Sequence, residues 1–389
     1  MVHIVHVSND FAPLSSGINT HLQNLLPALS TQNFKITLLV PTASDGSPLE
    51  IHADANYANV GCIRVSYTEN SNPFFKLFAL NKAVKKGLEW IDLNLGKPDL
   101  IHQHDNRATR IGATHYARKN KIPVVWTNHS SAFFKKSDLS ARLLAYVPGI
   151  RPDGVVVVHR RLVDRFREFF DGCPVSYIPN GVNTDHFRPG SSHSTKETVI
   201  LFPQRMIPQK GAIELAKAAG LLIENPDAAN LQFWFAGSGW DSNRDSDIIR
   251  RVKDLLAPAA AQDRVRFLGN PSYSEMPEFY RKADIVVLPF KMGTESLSVY
   301  EAWASGTPVI SLRLKETNNY IREGENCILM DSANPNDLAD AIQNLAIDFD
   351  RRNRLAKHGL EMARNHCTWS HRAEETGRFY RDIINNGKE

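Results

Sequence analysis

Two doubly wound α/β domains joined by one linker are the fold class this sequence predicts. Three observations predict it: the length, the alternation of short apolar runs with helix-length stretches, and a single break in that alternation. At 389 residues the chain exceeds what one hydrophobic core usually serves. The runs HIVHVS (3–8), KITLLVP (35–41), CIRVSY (62–67), DLIHQHD (99–105), PVVWTNH (123–129) and GVVVVH (154–159) read as buried parallel strands. Helix-length stretches at 19–29 and 108–120 fall between them, so the repeating unit is βαβ. The rhythm stops at IPNGVNTDHFRPGSSHSTKET (178–198), where an Asn-Gly turn, two prolines and a polar run mark the linker. It resumes with VILFPQR (199–205), LQFWFAG (231–237), RVRFLG (264–269), DIVVLPF (284–290) and PVISL (308–312). The expected domains are 1–185 and 186–368. The segment 369–389 reads as a helix, with Phe379 and Ile383 at helical spacing, that returns to the first domain. Such sheets bind ligands at the carboxyl ends of their strands, so the cleft between the halves is the expected site.

Composition excludes more than it identifies. With 42% hydrophobic and 23% charged residues the chain is an ordinary globular protein. A net charge of +4 gives no footing for nucleic-acid binding. Cys62, Cys173, Cys327 and Cys367 are scattered without metal-ligand spacing and read as free thiols of a reducing compartment. The start MVHIVHVSNDF has no basic leader ahead of an apolar segment, and no apolar run approaches the ~18 residues of a membrane span. The expectation is a cytoplasmic protein, with any membrane contact peripheral and on the inner face.

Several stretches carry chemistry. KMGTESLSVYEAWASGTPVI (291–310) holds two carboxylates among small residues. On one continuous helix Glu295 and Glu301 would point about 120° apart and could not serve one ligand. The better parse places Gly293 and Thr294 in a loop, Ser296 and then Leu297 at a helix start, and 299–305 in the helix, stopped by Gly306 and Pro308. Glu301 then lies near the helix N-terminus, whose free N–H groups suit a phosphate. An ordinary solvated helix is the plain alternative. In PQRMIPQKGAIELAKA (203–218), Arg205 at a strand end and Lys210 before Gly211 would clamp a pyrophosphate, unless both are solvated surface charges. FAGSGW (235–240) places Gly237 in another strand-end turn, and Ser16 and Gly17 open a helix in the same way near the N-terminus.

Other groupings are weaker. His102 and His104 share one strand face, a spacing that fits a metal, but no Asp-x-Asp pair stands in a suitable loop. His104, Asp105 and Ser130 suggest a hydrolase triad, which the opposed directions of adjacent strand residues argue against. Phe75, Phe78, Lys82, Lys85 and Lys86 lie in a basic amphipathic stretch (72–90) that fits an anionic membrane or a plain surface helix. AFFKKSDLSARLL (132–144) could form part of an acceptor pocket.

In order along the chain, these motifs resemble the retaining GT-B glycosyltransferases of family four. The loop at 13–17 is similar to the family's proline-then-glycine loop, with Ser16 at its usual second glycine. HQHD resembles its strand ending in Asp/His, and Thr127-Asn128-His129 its Thr-x-His. IPNGVNTDHFRP is close to its linker, with Asn183 replacing an aspartate. Arg205 and Lys210 fall on its Gly-Arg…Lys-Gly pair, with Gln204 replacing the glycine. EAWASGTPVI fixes Glu301 as the second of its two glutamates, whereas Gly293 stands at the first and Glu295 comes two residues late. The resemblance implies a retaining, metal-independent hexosyltransferase using a UDP- or GDP-linked sugar as co-substrate, no other cofactor, and a sugar or lipid-linked acceptor. It assigns the diphosphate to Arg205 and Lys210, the ribose hydroxyls to Glu301 and the donor sugar to His129, with Glu295 as a sugar contact if its loop turns inward. Ser16, Gly17, Gly237, Thr294, Ser296 and Leu297 complete the donor-binding candidates. A nucleotide-sugar epimerase of the same fold and a non-catalytic nucleotide-sugar binder are the rival readings.

Overall fold

The computed structural model describes residues 1–9, 11, 17–44, 51–57, 59–104, 107–129, 151–190, 197–239, 243–260, 263–291, 297–314 and 320–386. Met1–Gly181 together with Trp369–Glu389 form one compact unit, and Val182–Thr368 form a second.

The first unit is built on β1 (Val2–Val7), β2 (Phe34–Ser44), β3 (Ile51–Tyr57), β4 (Val60–Thr68), β5 (Leu100–His104), β6 (Val124–Asn128), β7 (Gly154–Val157) and β8 (Val175–Tyr177). They make one sheet in the order β3-β4-β2-β1-β5-β6-β7-β8. All pairings are parallel except that of β3 with β4. Helices α1 (Gly17–Ser30), α2 (Pro73–Leu95), α3 (Arg107–Asn120) and α4 (Val163–Phe169) connect the strands. Helix α2 starts where sequence chemistry permits: the Asn72 side chain accepts from the Phe74 N–H at 2.9 Å, and Pro73 occupies the first turn, where its missing N–H costs no bond. Leu80, Val84, Leu88 and Ile91 of α2 bury against Val5, Leu39 and Ile63 of the sheet. The helix Trp369–Asn386 closes this unit: Gly154 of β7 leaves room for Phe379 and Ile383, whose atoms would lie 2.8 Å from a Cβ placed there.

The second unit contains β9 (Thr198–Phe202), β10 (Leu231–Ala236), β11 (Val265–Gly269), β12 (Ile285–Leu288), β13 (Val309–Leu312) and β14 (Ile328–Met330), ordered β11-β10-β9-β12-β13-β14 and all parallel. Helices α5 (Ala212–Glu224), α6 (Asn243–Ala260), α7 (Met276–Lys282), α8 (Leu297–Ala304), α9 (Pro335–Ile347) and α10 (Phe349–His366) cover it. Successive strand residues face opposite cores: Ile200 and Phe202 pack under α5 and α9, while Val199 and Leu201 pack under Tyr300 and Trp303 of α8.

The expected α/β class holds, with differences of physical origin. Strands β3, β8 and β14 are not predicted by the apolar runs. The first is an antiparallel strand at the sheet edge whose sequence, IHADANY, mixes polar and apolar residues, and the other two are three residues long. Helix α8 runs from Leu297, and Glu301 is its fifth residue, one turn in and so near the N-terminus as expected; Ser296, the expected start, lies outside the described residues. Gly306 takes φ 76° and ends that helix as expected.

Both sheets change direction once. In the first, chain order reverses between β1 and β5; in the second, between β9 and β12. The carboxyl ends of those strand pairs are where an open α/β sheet offers a ligand crevice.

Candidate active site

At the β9/β12 switch of the second unit, β9 ends at Phe202, and Arg205 lies in the following loop rather than on the strand itself. Arg205 is exposed and Lys210 half-buried in a single helical turn, Pro208–Lys210, that leads into α5. Burial, and then the neighbouring Arg205 charge, push the Lys210 ammonium down to about 8. The buried Lys210 charge beside Arg205 carries a cost that a bound diphosphate would lower. Gly211 holds φ 77°, and a Cβ there would run into the Pro289 carbonyl after β12. Gly237, directly after β10, holds φ 153°, and its Cβ would run into the Gln204 carbonyl. Both glycines therefore let two strand-end loops close on each other's backbone, and side chains are excluded for steric reasons. The N–H of Met206 bonds the Ser238 carbonyl at 3.1 Å and that of Lys291 the Gln209 carbonyl at 3.0 Å, tying the loops together.

Glu301 is packed into this unit with one oxygen already engaged: the Tyr280 hydroxyl donates to its Oε2 at 2.8 Å. Burial raises the carboxyl to about 7, and the Tyr280 bond opposes that rise. Tyr280 comes from α7 and is fixed by its own backbone, whose carbonyl accepts from the Thr307 hydroxyl at 2.8 Å. The remaining Oε1 is the acceptor available to a ligand hydroxyl. Ser298, one residue after Leu297, donates to the Pro203 carbonyl at 3.2 Å and so anchors the start of α8 to the loop after β9.

In the first unit the β1/β5 switch carries histidines. His6 pairs in register with His102. His6 Nδ1 lies 2.9 Å from His104 Nε2, and His104 Nδ1 lies 3.1 Å from His129 Nε2. His102 is held by the Tyr380 hydroxyl and, at 2.6 Å, by the Thr127 hydroxyl. His21 Nδ1 sits 2.9 Å from Asn180 Oδ1. Burial is the first cause of a lowered pKa at all five: about 3 at His6, about 4 at His21, and well below the usual value at His102, His104 and His129. These imidazoles are neutral at physiological pH, and each carries one N–H. The His6–His104–His129 chain must then run one way, with its two bonds donated in the same direction. Two groups, His6/His102/His104 and His21/His104/His129, bring a nitrogen from each ring within 4.8 Å. The 2.9 and 3.1 Å spacings are those of hydrogen bonds and fall inside the about 3.4 Å that separates two nitrogens on a tetrahedral zinc ion.

The structure thus brings Arg205, Lys210, Gly237, Leu297 and Glu301 into the second unit and Gly17 and His129 into the first. Gly17 opens α1 and a Cβ there would meet nothing within 4 Å. Ser16, Asp105, Ser130, Gly293, Thr294, Glu295, Ser296 and the stretch 132–144 lie outside the described residues. Sequence reasoning missed Tyr280, His6 and His21.

Comparison with known proteins decides the family. The family described as glycosyl transferases group 1 matches residues 183–362, and glycosyltransferase family 4 matches residues 15–186. A D-inositol 3-phosphate glycosyltransferase of Stackebrandtia nassauensis is 31% identical over 311 residues, covering 74% of this chain and 68% of that one. The chain belongs to glycosyltransferase family four. The Corynebacterium glutamicum D-inositol 3-phosphate glycosyltransferase is 28% identical over 312 residues, covering 74% of this glycosyltransferase and 73% of its relative. Among solved structures, sucrose-phosphate synthase of Thermosynechococcus elongatus superposes with TM-score 0.76 at 20% identity, covering 99% and 100% of the two chains. Anabaena HepE in complex with UDP and glucose gives TM-score 0.73 at 16% identity, covering 97% and 98%. The fold of this family-four glycosyltransferase is GT-B. No described helix is long and apolar enough to cross a membrane.

Proposed function

We propose that this glycosyltransferase is retaining, works without a metal ion, and takes its sugar from a nucleotide sugar, with UDP as the nucleotide. The observation that carries the reading is the Arg205–Lys210 pair at the β9/β12 switch, with Lys210 held down to about 8 beside glycine-tight loops. Cations of this kind stabilise a departing diphosphate as charge develops on it, which is where electrostatic help lowers a barrier. Glu301 Oε1 accepts from ribose hydroxyls while Tyr280 holds Oε2. His129 is assigned to the transferred sugar, and Glu295 to a second contact with it. The acceptor is a sugar or cyclitol hydroxyl, the class that the inositol 3-phosphate relatives are named for. UDP is the nucleotide present in the HepE complexes.

The test is transfer by Arg205→Ala and Lys210→Ala from a UDP-sugar panel to sugar and cyclitol phosphates. Each substitution should lower kcat by a factor on the order of 10²; activity within about threefold of wild type in both sinks the assignment. The coupling constant of the anomeric proton in the product reads retention or inversion directly. Activity abolished by EDTA and restored by a divalent cation would refute the metal-free mechanism.

A further inference from the structure

Helix α2 has two faces, and only one is explained by the fold. Leu80, Ala83, Val84, Leu88 and Ile91 are buried. Phe74, Phe75 and Phe78 point the other way and are 71%, 56% and 66% exposed. At 100° per residue the three rings fall within an arc of about 100°, opposite the buried residues. The same arc continues with Lys82, Lys85 and Lys86. Lys82 and Lys86 are exposed and make no ion pair among the described residues, whereas Lys85 is paired with Glu89 at 3.8 Å. Beyond Lys86 the arc carries Glu89 and Asp92 and then the exposed Leu93, so the combined aromatic and basic surface is confined to the first four turns.

Three protruding phenylalanines in a row are not the scattered apolar exposure of an ordinary surface. They project from a helix instead of lining a groove, so they suit a medium that yields to them rather than a pocket that must match them. The lysines follow within one to three turns, and their flexible stems carry ammonium groups to the level of lipid phosphates when the rings enter the headgroup region. The opposite face of α2 is locked into the sheet, so the rings are presented rigidly and the whole unit rides on them.

We propose that the Phe74/Phe75/Phe78 and Lys82/Lys86 face of α2 docks this protein onto an anionic lipid surface. The arrangement is that of an interfacial helix: apolar rings supply insertion and the cations supply selectivity for negative headgroups. It operates independently of the donor chemistry, because every residue in it stands outside the Arg205, Lys210, Glu301 and His129 positions.

Co-sedimentation of the full chain with vesicles of phosphatidylcholine, or of phosphatidylcholine mixed with phosphatidylglycerol, tests it. Wild type should pellet with the anionic vesicles at low salt, pellet less at high salt, and stay in solution with the neutral ones. Phe74→Ser/Phe75→Ser/Phe78→Ser should weaken anionic-vesicle binding by about tenfold or more, and Lys82→Glu/Lys86→Glu should abolish its salt dependence. Thermal midpoints equal to wild type establish that these exposed substitutions leave the fold intact. The proposal is overturned if wild type remains in the supernatant with anionic vesicles at low salt, or if the serine variant binds like wild type. It is also overturned if sedimentation velocity shows a wild-type dimer that the serine variant converts to monomer, which would assign the face to a second copy of the chain.

Discussion

Lowering the pH from 7.5 to 5.5 should destabilise the first unit, and the histidine cluster sets the size of the effect. In the unfolded chain each histidine titrates near about 6.5. In the folded unit His6 and His21 are lowered to about 3 and about 4, and His102, His104 and His129 are lowered well below the usual value, all by burial first. The unfolded state therefore binds more protons, so stability is complete above about 6.5 and drains away as the pH falls toward the folded-state values. Per group, the change between pH 7.5 and 5.5 is RT ln(11/1.1), about 1.4 kcal/mol. His6 and His21 together contribute about 3 kcal/mol, and His102, His104 and His129, lowered in the same direction, add to it. That is a large share of the stability of a typical domain, about 5–15 kcal/mol. Amide exchange read by mass spectrometry, corrected for intrinsic rates, reports opening free energies peptide by peptide. Peptides covering β1, β5 and β6 should lose several kcal/mol between the two conditions, and those covering β9 and β12 should lose much less. Opening free energies in β1, β5 and β6 that change by less than about 1 kcal/mol would refute the neutral, buried cluster.

Other outcomes follow from the second unit. With Lys210 titrating at about 8 in the free protein, its charge is lost between pH 7 and 9, so UDP affinity measured by calorimetry should fall about tenfold across that range. Lys210→Met should flatten that dependence. Glu301→Ala should weaken UDP binding by about 1–3 kcal/mol, because ribose hydroxyls lose their acceptor, and an unchanged Kd would remove Glu301 from the nucleotide site. Gly211→Ala forces a side chain into the Pro289 carbonyl at φ 77°. It should cost about 2 kcal/mol or more, seen as a lower thermal midpoint in circular dichroism.

The legible part of this fold was the part made of continuous apolar runs. Strands such as β7 and β9 are buried on both faces, so GVVV and TVILF stand out from their surroundings without any tertiary knowledge. Strand β3 did not stand out because an antiparallel edge strand does not require such a run, and VSY and ILM are too short to carry a period. Candidate site residues divide in the same way. Arg205, Lys210 and Glu301 stand out in the sequence because each sits inside a contiguous motif. Tyr280 does not, because its bond to Glu301 joins α7 to α8 across 21 positions of sequence. His102 and His104 drew notice through their spacing on one strand, but His6 and His21 join them only once β1 lies beside β5 and α1 passes over their ends. The one available signal was another histidine in the apolar run HIVHVS.

The helix Trp369–Asn386 belongs to a unit that the chain leaves at Gly181. Its Tyr380 hydroxyl holds His102, and Phe379 and Ile383 fill the space beside Gly154. During synthesis, strands β1 to β8 emerge from the ribosome long before that helix exists, and the whole of Val182–Thr368 must be translated first. The half-finished sheet therefore waits with one layer missing, while the intervening unit has every residue it requires and can fold at once. Chaperone dependence should fall on nascent chains of that intermediate length. A polypeptide stopped at residue 368 should yield a folded second unit attached to a protease-sensitive first one, and the missing layer supplied as a separate peptide should restore its resistance.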